Sequence, residues 1–180
     1  MNINHKFINH KIQEDTEVLI IGTFHPETSP KEIDFFYGRP HNFLWRLLPS
    51  AFGGPDLKNK TRFDKEELLR NHKIDFADLI KRINVEEGHE NDYSDDYIDN
   101  RMSEPGSEWH DMESLIDSHQ GTLKKVCFTR KTFSGIPNIE NKIKEIKKYC
   151  ITRNIAFRYL TTPARYYSLL KQKEWSNFFR

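Results

Sequence analysis

A three-layer α/β fold, αβα with a mostly parallel central sheet of about four strands, is predicted from three observations. Four short runs rich in β-branched and aromatic residues are spread along the chain. Segments with apolar residues at helical spacing separate them. Strands that alternate with helices in this way pair in parallel and carry helices on both faces.

The elements follow in order. Glu17–Gly22 reads as a buried strand, a β-branched run that stops at glycine. Thr23–Gly38 is a loop with two prolines and four aromatics. Pro40–Phe52 has a helical apolar face at Phe43, Leu44, Leu47, Leu48 and Ala51, with Pro40 as a first helical residue and Pro49 disturbing the last turn. Asp64–Asn71 is a short helix, with Asp64 as its cap and Glu67 three residues on. Ile74–Ile80 is a second strand. Residues 86–117 hold 12 acidic residues against one basic residue, Arg101, and read as a solvated insertion with short helices near Ser94–Arg101 and Ser107–Asp117. Leu123–Thr129 is a third strand, Pro137–Tyr149 a helix, Ile155–Thr161 a fourth strand and Pro163–Phe179 a terminal helix.

The 180 residues suit one domain spanning 1–180, large enough to bury roughly 70% of the unfolded surface. With 31% charged residues the chain is polar, but 13% aromatics argue against disorder. No apolar run approaches the roughly 20 residues that span a bilayer, so no membrane partner is expected. Met1–Asp15 is polar and has no signal-peptide core. Two cysteines, Cys127 and Cys150, cannot make a disulfide framework or a cysteine-rich metal site. They read as core thiols of a monomeric protein in a reduced, cytoplasmic setting. The net charge of +1 hides a split. Residues 1–120 carry 14 basic and 24 acidic side chains, and residues 121–180 carry 14 and 3. A basic last third points to a polyanion partner or to a solvated lysine-rich helix.

In open parallel sheets, ligands bind beyond the carboxyl ends of strands. Two loops occupy such positions. The first runs Gly22-Thr23-Phe24-His25-Pro26 and on through Tyr37-Gly38-Arg39-Pro40-His41-Asn42-Phe43-Leu44-Trp45; the second is Leu160-Thr161-Thr162-Pro163-Ala164-Arg165. Here the chain resembles the uracil-DNA glycosylase superfamily, with the greatest likeness to its mismatch-specific and hypoxanthine branch. Those proteins carry a strand ending in a Gly-x-x-Pro-Gly-type loop, then an aromatic, a small residue, His-Pro-x-Asn and an aromatic pair ending in Trp. Tyr37, Gly38, Pro40, Asn42 and Trp45 match the second half in register. Thr161, Thr162, Pro163 and Ala164 are similar to the branch's Ser-Thr-Ser-Pro-Ala segment. The chain departs from the pattern in three places. Phe24 stands where several relatives carry a water-activating carboxylate or amide, His25-Pro26 replaces Pro-Gly, and Arg39 replaces His.

The resemblance implies a monofunctional DNA glycosylase that hydrolyses the N-glycosidic bond of a deaminated base, uracil or hypoxanthine, and leaves an abasic site. The partner would be duplex DNA with a damaged base, or single-stranded DNA, and no metal or organic cofactor is implied. A base must leave the stack to be attacked, and an aromatic face can restore the lost stacking. Tyr37 is the matched stacking residue, with Gly22, Thr23, Phe24 and Thr162 completing the substrate site. Asn42 and His25 are the catalytic candidates, as donors to the base or positioners of water; a helix cap is the plainer role for Asn42. Backbone N–H groups of Phe24 and His25 can also face the base. Pro163, Ala164 and Arg165 would meet the DNA minor groove, although a helix start at Thr162-Pro163 explains the same residues. His25, His41 and His89 lack metal-ligand spacing. A module that binds nucleic acid without cleaving it, and a hydrolase of small nucleosides, are the alternatives.

Overall fold

The computed structural model describes residues 1–180. In chain order the elements are β1 (Asn2–Asn4), β2 (Val18–Gly22), α1 (Leu44–Ala51), α2 (Arg62–His72), β3 (Ile74–Asp78), β4 (Ile80–Asn84), α3 (Asp95–Arg101), β5 (Glu108–Trp109), α4 (Met112–Ser118), β6 (Lys125–Phe128), α5 (Pro137–Thr152), β7 (Ala156–Tyr159) and α6 (Leu169–Phe179). The four runs expected as strands are β2, β3, β6 and β7. They form one sheet in the order β3-β2-β6-β7, with every pair parallel. The expected αβα class is therefore borne out.

The strand period of two sorts the core into two halves. Leu19, Ile21, Val126 and Phe128 face α3, α4 and α5, where Ile98, Ile116, Ile139 and Ile143 are buried. Ile20, Phe76 and Cys127 face α1, α2 and α6, where Leu44, Trp45, Leu69 and Trp175 are buried. Cys127 and Cys150 are buried and unpaired, and burial pushes both thiols above their usual range.

Several boundaries differ from expectation, each for a local reason. The second strand does not run on to Ile80. After Leu79 the chain enters β4, which pairs antiparallel with β1 and β5 in a separate three-stranded sheet. Helix α1 starts at Leu44 rather than Pro40, because Pro40–Asn42 turn back onto another loop. Pro49 lies inside α1 and cannot donate to Trp45 O. That carbonyl instead accepts the Leu57 N–H at 2.8 Å. Helix α2 is capped by Thr61, with Asp64 as the reciprocal partner three residues in. The terminal helix begins at Leu169, where the Ser168 hydroxyl accepts the Lys171 N–H at 3.2 Å. Pro163 is therefore in a loop and not at a helix start.

The acidic segment is more than a solvated insertion. Ile98, Met112 and Ile116 are buried in the core. Asp99 is fully buried and accepts N–H bonds from Ile139 at 2.6 Å and Asn138 at 3.2 Å. Helix α5 has no side-chain cap of its own. A carboxylate from α3 thus satisfies amides at the positive end of α5.

Candidate functional site

The parallel strands end at Gly22, Asp78, Phe128 and Tyr159. Beyond these ends lies an open cleft of about 170 Å³. Its walls include Gly22, Thr23, Phe24, Tyr37, Thr162 and Ala164, six of the residues singled out in the sequence. Thr129, Arg39 and Arg130 complete the wall on the sheet side. The Phe24 and His25 amides donate to no group of the chain.

The two motif loops are bound to each other. Asn42 and Ala164 form an antiparallel bridge. Phe43 N–H donates to Pro163 O at 2.8 Å, and Arg165 N–H donates to His41 O at 2.8 Å. Helix α6 holds the second loop from below. The buried Lys171 ammonium donates to Ala164 O at 3.2 Å and Tyr166 O at 2.6 Å. Glu174 accepts the Thr161 N–H at 3.0 Å and its hydroxyl at 2.6 Å. Asn42 itself is half-buried and lies one bridge away from the cleft wall. Its Oδ1 accepts the Leu44 N–H at 2.9 Å, and its NH2 group donates to nothing in the chain. Pro163 is buried and Arg165 is exposed. Directly after Arg165 come the exposed Tyr166, Leu169 and Leu170, which an expected helix from Pro163 had concealed.

His25 stands behind the wall rather than in it. Its Nδ1 bonds to Asp78 Oδ2, and its Nε2 accepts the Tyr37 N–H at 3.0 Å. Both ring nitrogens are engaged within the chain, and the His25 imidazole supports the Tyr37 backbone. His5 binds the same carboxylate oxygen through Nε2 at 2.8 Å, while its Nδ1 accepts the Phe7 N–H at 3.2 Å. Asp78 is buried, and its other oxygen, Oδ1, has no hydrogen-bond partner. That oxygen packs against Gly22. A side chain at position 22 would collide with it and would lie 2.7 Å from the Tyr37 hydroxyl, so glycine is required by close approach. Burial alone would raise the Asp78 carboxyl. Attraction to His25 and the N–H bonds from His25 and His5 outweigh burial and hold it well below the usual carboxylate range.

Tyr37 has φ +57°, uncommon for a bulky residue. The His25 bond fixes its amide, Phe76 packs at 5.4 Å against its ring, and its hydroxyl meets Thr129 Oγ1 at 3.3 Å. Burial and the Asp78 charge push the phenol well above its usual range, so it stays protonated. None of Asp78, His5 and Thr129 was a sequence candidate. The available signal was an aspartate closing a strand, Asp78, beside a motif strand.

His5, His25 and Asp78 are the one group with ligand atoms close enough to hold a metal ion. The imidazoles do not fit that role. Each accepts a backbone N–H on its other nitrogen, so a neutral ring presents a proton, not a lone pair, to Asp78. Metal-bound histidines show the opposite arrangement, donating through the distal nitrogen.

The acidic segment borders the motif loops. Tyr93, Asp95 and Ile98 line the cleft opposite Phe24 and Tyr37. The Tyr93 hydroxyl bonds to Thr28 Oγ1, and the Arg39 guanidinium sits 4.9 Å over the Tyr93 ring. The cleft thus has both an acidic side chain, Asp95, and basic ones, Arg39 and Arg130, on its rim. The basic α5 face also pairs internally, as in Lys144–Glu140 at 2.7 Å.

No protein-family model matches the chain. A hypoxanthine DNA glycosylase of Methanosarcina barkeri is 37% identical over 70 residues, covering 39% of this chain and 43% of the relative. The match thus spans less than half of that relative's length. A solution NMR structure from Methanosarcina acetivorans, provisionally described as a uracil DNA glycosylase, superposes with a TM-score of 0.61. It covers 94% of this chain and 92% of the other at 22% identity, which establishes a shared fold. No helix is long and apolar enough to cross a membrane. The sequence likeness and the fold together support the resemblance to the uracil-DNA glycosylase superfamily and its hypoxanthine branch.

Proposed function

From this likeness we propose that the chain is a monofunctional DNA glycosylase that excises a deaminated base, hypoxanthine or uracil, from DNA. The observation that carries the proposal is the convergence of Gly22, Thr23, Phe24, Tyr37, Thr162 and Ala164 on one cleft beyond the sheet. The cleft can take a single extruded base, and the Tyr37 and Phe24 rings offer it the stacking it leaves behind. As the glycosidic bond breaks, negative charge grows on the base. The uncommitted amides of Phe24 and His25 and the NH2 group of Asn42 are the donors that would meet it. Asn42 sits beside the wall, bridged through its backbone to Ala164. His25 is a positioning residue, acting through Tyr37. The exposed Tyr166, Leu169 and Leu170 suit insertion beside an unstacked base step, and Arg165 suits a phosphate.

Phe24 carries no group to activate water, which favours one rival, a module that binds DNA without cutting it. Labelled duplexes with a single hypoxanthine, uracil or xanthine, treated with alkali after incubation, separate the two. Strand cleavage at one lesion is the expected result. Tight binding without cleavage at protein excess assigns the module instead. Arg165→Ala is expected to weaken duplex binding and to lower the slope of log affinity against log salt by about 0.9, one phosphate contact. An unchanged slope removes Arg165 from the interface.

A further inference from the structure

The cleft opens into a larger polar groove of about 800 Å³. Asp95, Arg130, Thr162 and Ala164 border both spaces. At that junction Asp95 and Arg130 form an ion pair, with side chains 42% and 23% exposed. Both partners stand on fixed supports. Arg130 follows Thr129, whose N–H is bonded to Ile21 O at 3.1 Å. Asp95 opens α3 two residues after Tyr93, which Thr28 and Arg39 hold over the cleft. The other cations of the groove differ. Lys131 is paired with Glu174 at 2.8 Å, and Arg165 lies on the exposed turn.

A nucleotide whose base occupies the cleft must lead its sugar and phosphate out past this junction. A phosphate is a stronger partner for arginine than one half-exposed carboxylate, because it accepts two parallel N–H bonds and carries more charge. A half-exposed ion pair contributes little to stability and is readily exchanged. Asp95 and Asp96 line the groove wall beside Arg130, so a backbone phosphate of an unextruded duplex that approaches the junction meets carboxylates there. Building on the glycosylase reading of the same cleft, we infer that Asp95 and Arg130 form a specificity latch. Arg130 is the phosphate-binding residue for an extruded nucleotide, and Asp95 withholds it from undamaged DNA.

The test measures binding of the full chain to two duplexes, one undamaged and one with a single abasic site, across 50–200 mM salt. Asp95→Asn is expected to tighten undamaged binding several-fold and to steepen its salt slope by about 0.9. Arg130→Gln is expected to weaken abasic binding about tenfold and undamaged binding much less. In the double variant the gain from Asp95→Asn disappears. Asp95→Ser replaces Asp95→Asn if thermal melting shows that the latter unfolds. An equal gain from Asp95→Asn with and without Arg130 reduces the effect to general repulsion and overturns the latch. Unchanged abasic binding in Arg130→Gln also overturns it, and the glycosylase reading then stands. If the wild-type chain binds neither duplex, the glycosylase reading fails and the latch fails with it.

Discussion

Asp78→Ala is expected to destabilise the protein by about 3–5 kcal/mol, the range for removing one member of a buried charged cluster. Two imidazole N–H groups, from His5 and His25, share the single oxygen Oδ2. Without it both are buried donors with no acceptor. Loss of His25's anchor also frees the Tyr37 amide, whose left-handed backbone depends on it. Asp78→Asn is expected to cost less, since one amide oxygen can still accept both N–H bonds. The two variants also differ in pH response. The folded carboxyl titrates below the unfolded value of about 3.9, so its stabilisation is fully present above that pH. It is lost as pH falls through the lower folded value. Urea unfolding between pH 2 and 7 checks both points. The wild type should lose more stability than Asp78→Asn across the acid limb. Equal acid slopes, or wild-type stability in Asp78→Ala, contradict the assignment.

Asn42→Ala is expected to lower single-turnover cleavage by about 10²–10³, the usual loss for one donor to a developing anion. The substitution also removes the acceptor for Leu44 N–H, a cap-like bond worth about 1 kcal/mol. Asn42→Asp separates these roles. It retains the acceptor and loses the NH2 group, so it should melt like the wild type and still fail to cleave. If Asn42→Asp cleaves at the wild-type rate, Asn42 serves only the helix end.

The central sheet was legible because its two inner strands are buried on both faces and read as apolar runs. Val18–Gly22 and Lys125–Phe128 show this, and helices α1 and α5 carry clear apolar stripes. The small second sheet was not legible. Ile80-Lys81-Arg82-Ile83-Asn84 looks like an extension of its neighbour, and only pairing with Asn2–Asn4 gives it an identity. Thr162-Pro163 carries every local sign of a helix start, yet the bridge to Asn42 and the Lys171 bonds hold it as a loop. In the cleft, the motifs foretold the wall from Gly22 to Phe24, Tyr37, Thr162 and Ala164. They could not foretell Asp78 and His5, which meet across 73 residues with no shared pattern. Nor did they show that Tyr93 and Asp95 complete the opposite side, because a charged run looks solvated until its few apolar residues find a core.

The buried Asp99 gives the acidic segment a further meaning for anyone who would shorten the chain. Residues 86–117 look like an accessory that could be trimmed to a tight turn. Trimming them would strip the Asn138 and Ile139 amides of their acceptor and remove Ile98 and Ile116 from the core. A minimal scaffold built from this protein must either keep α3 or supply α5 with a new cap of its own.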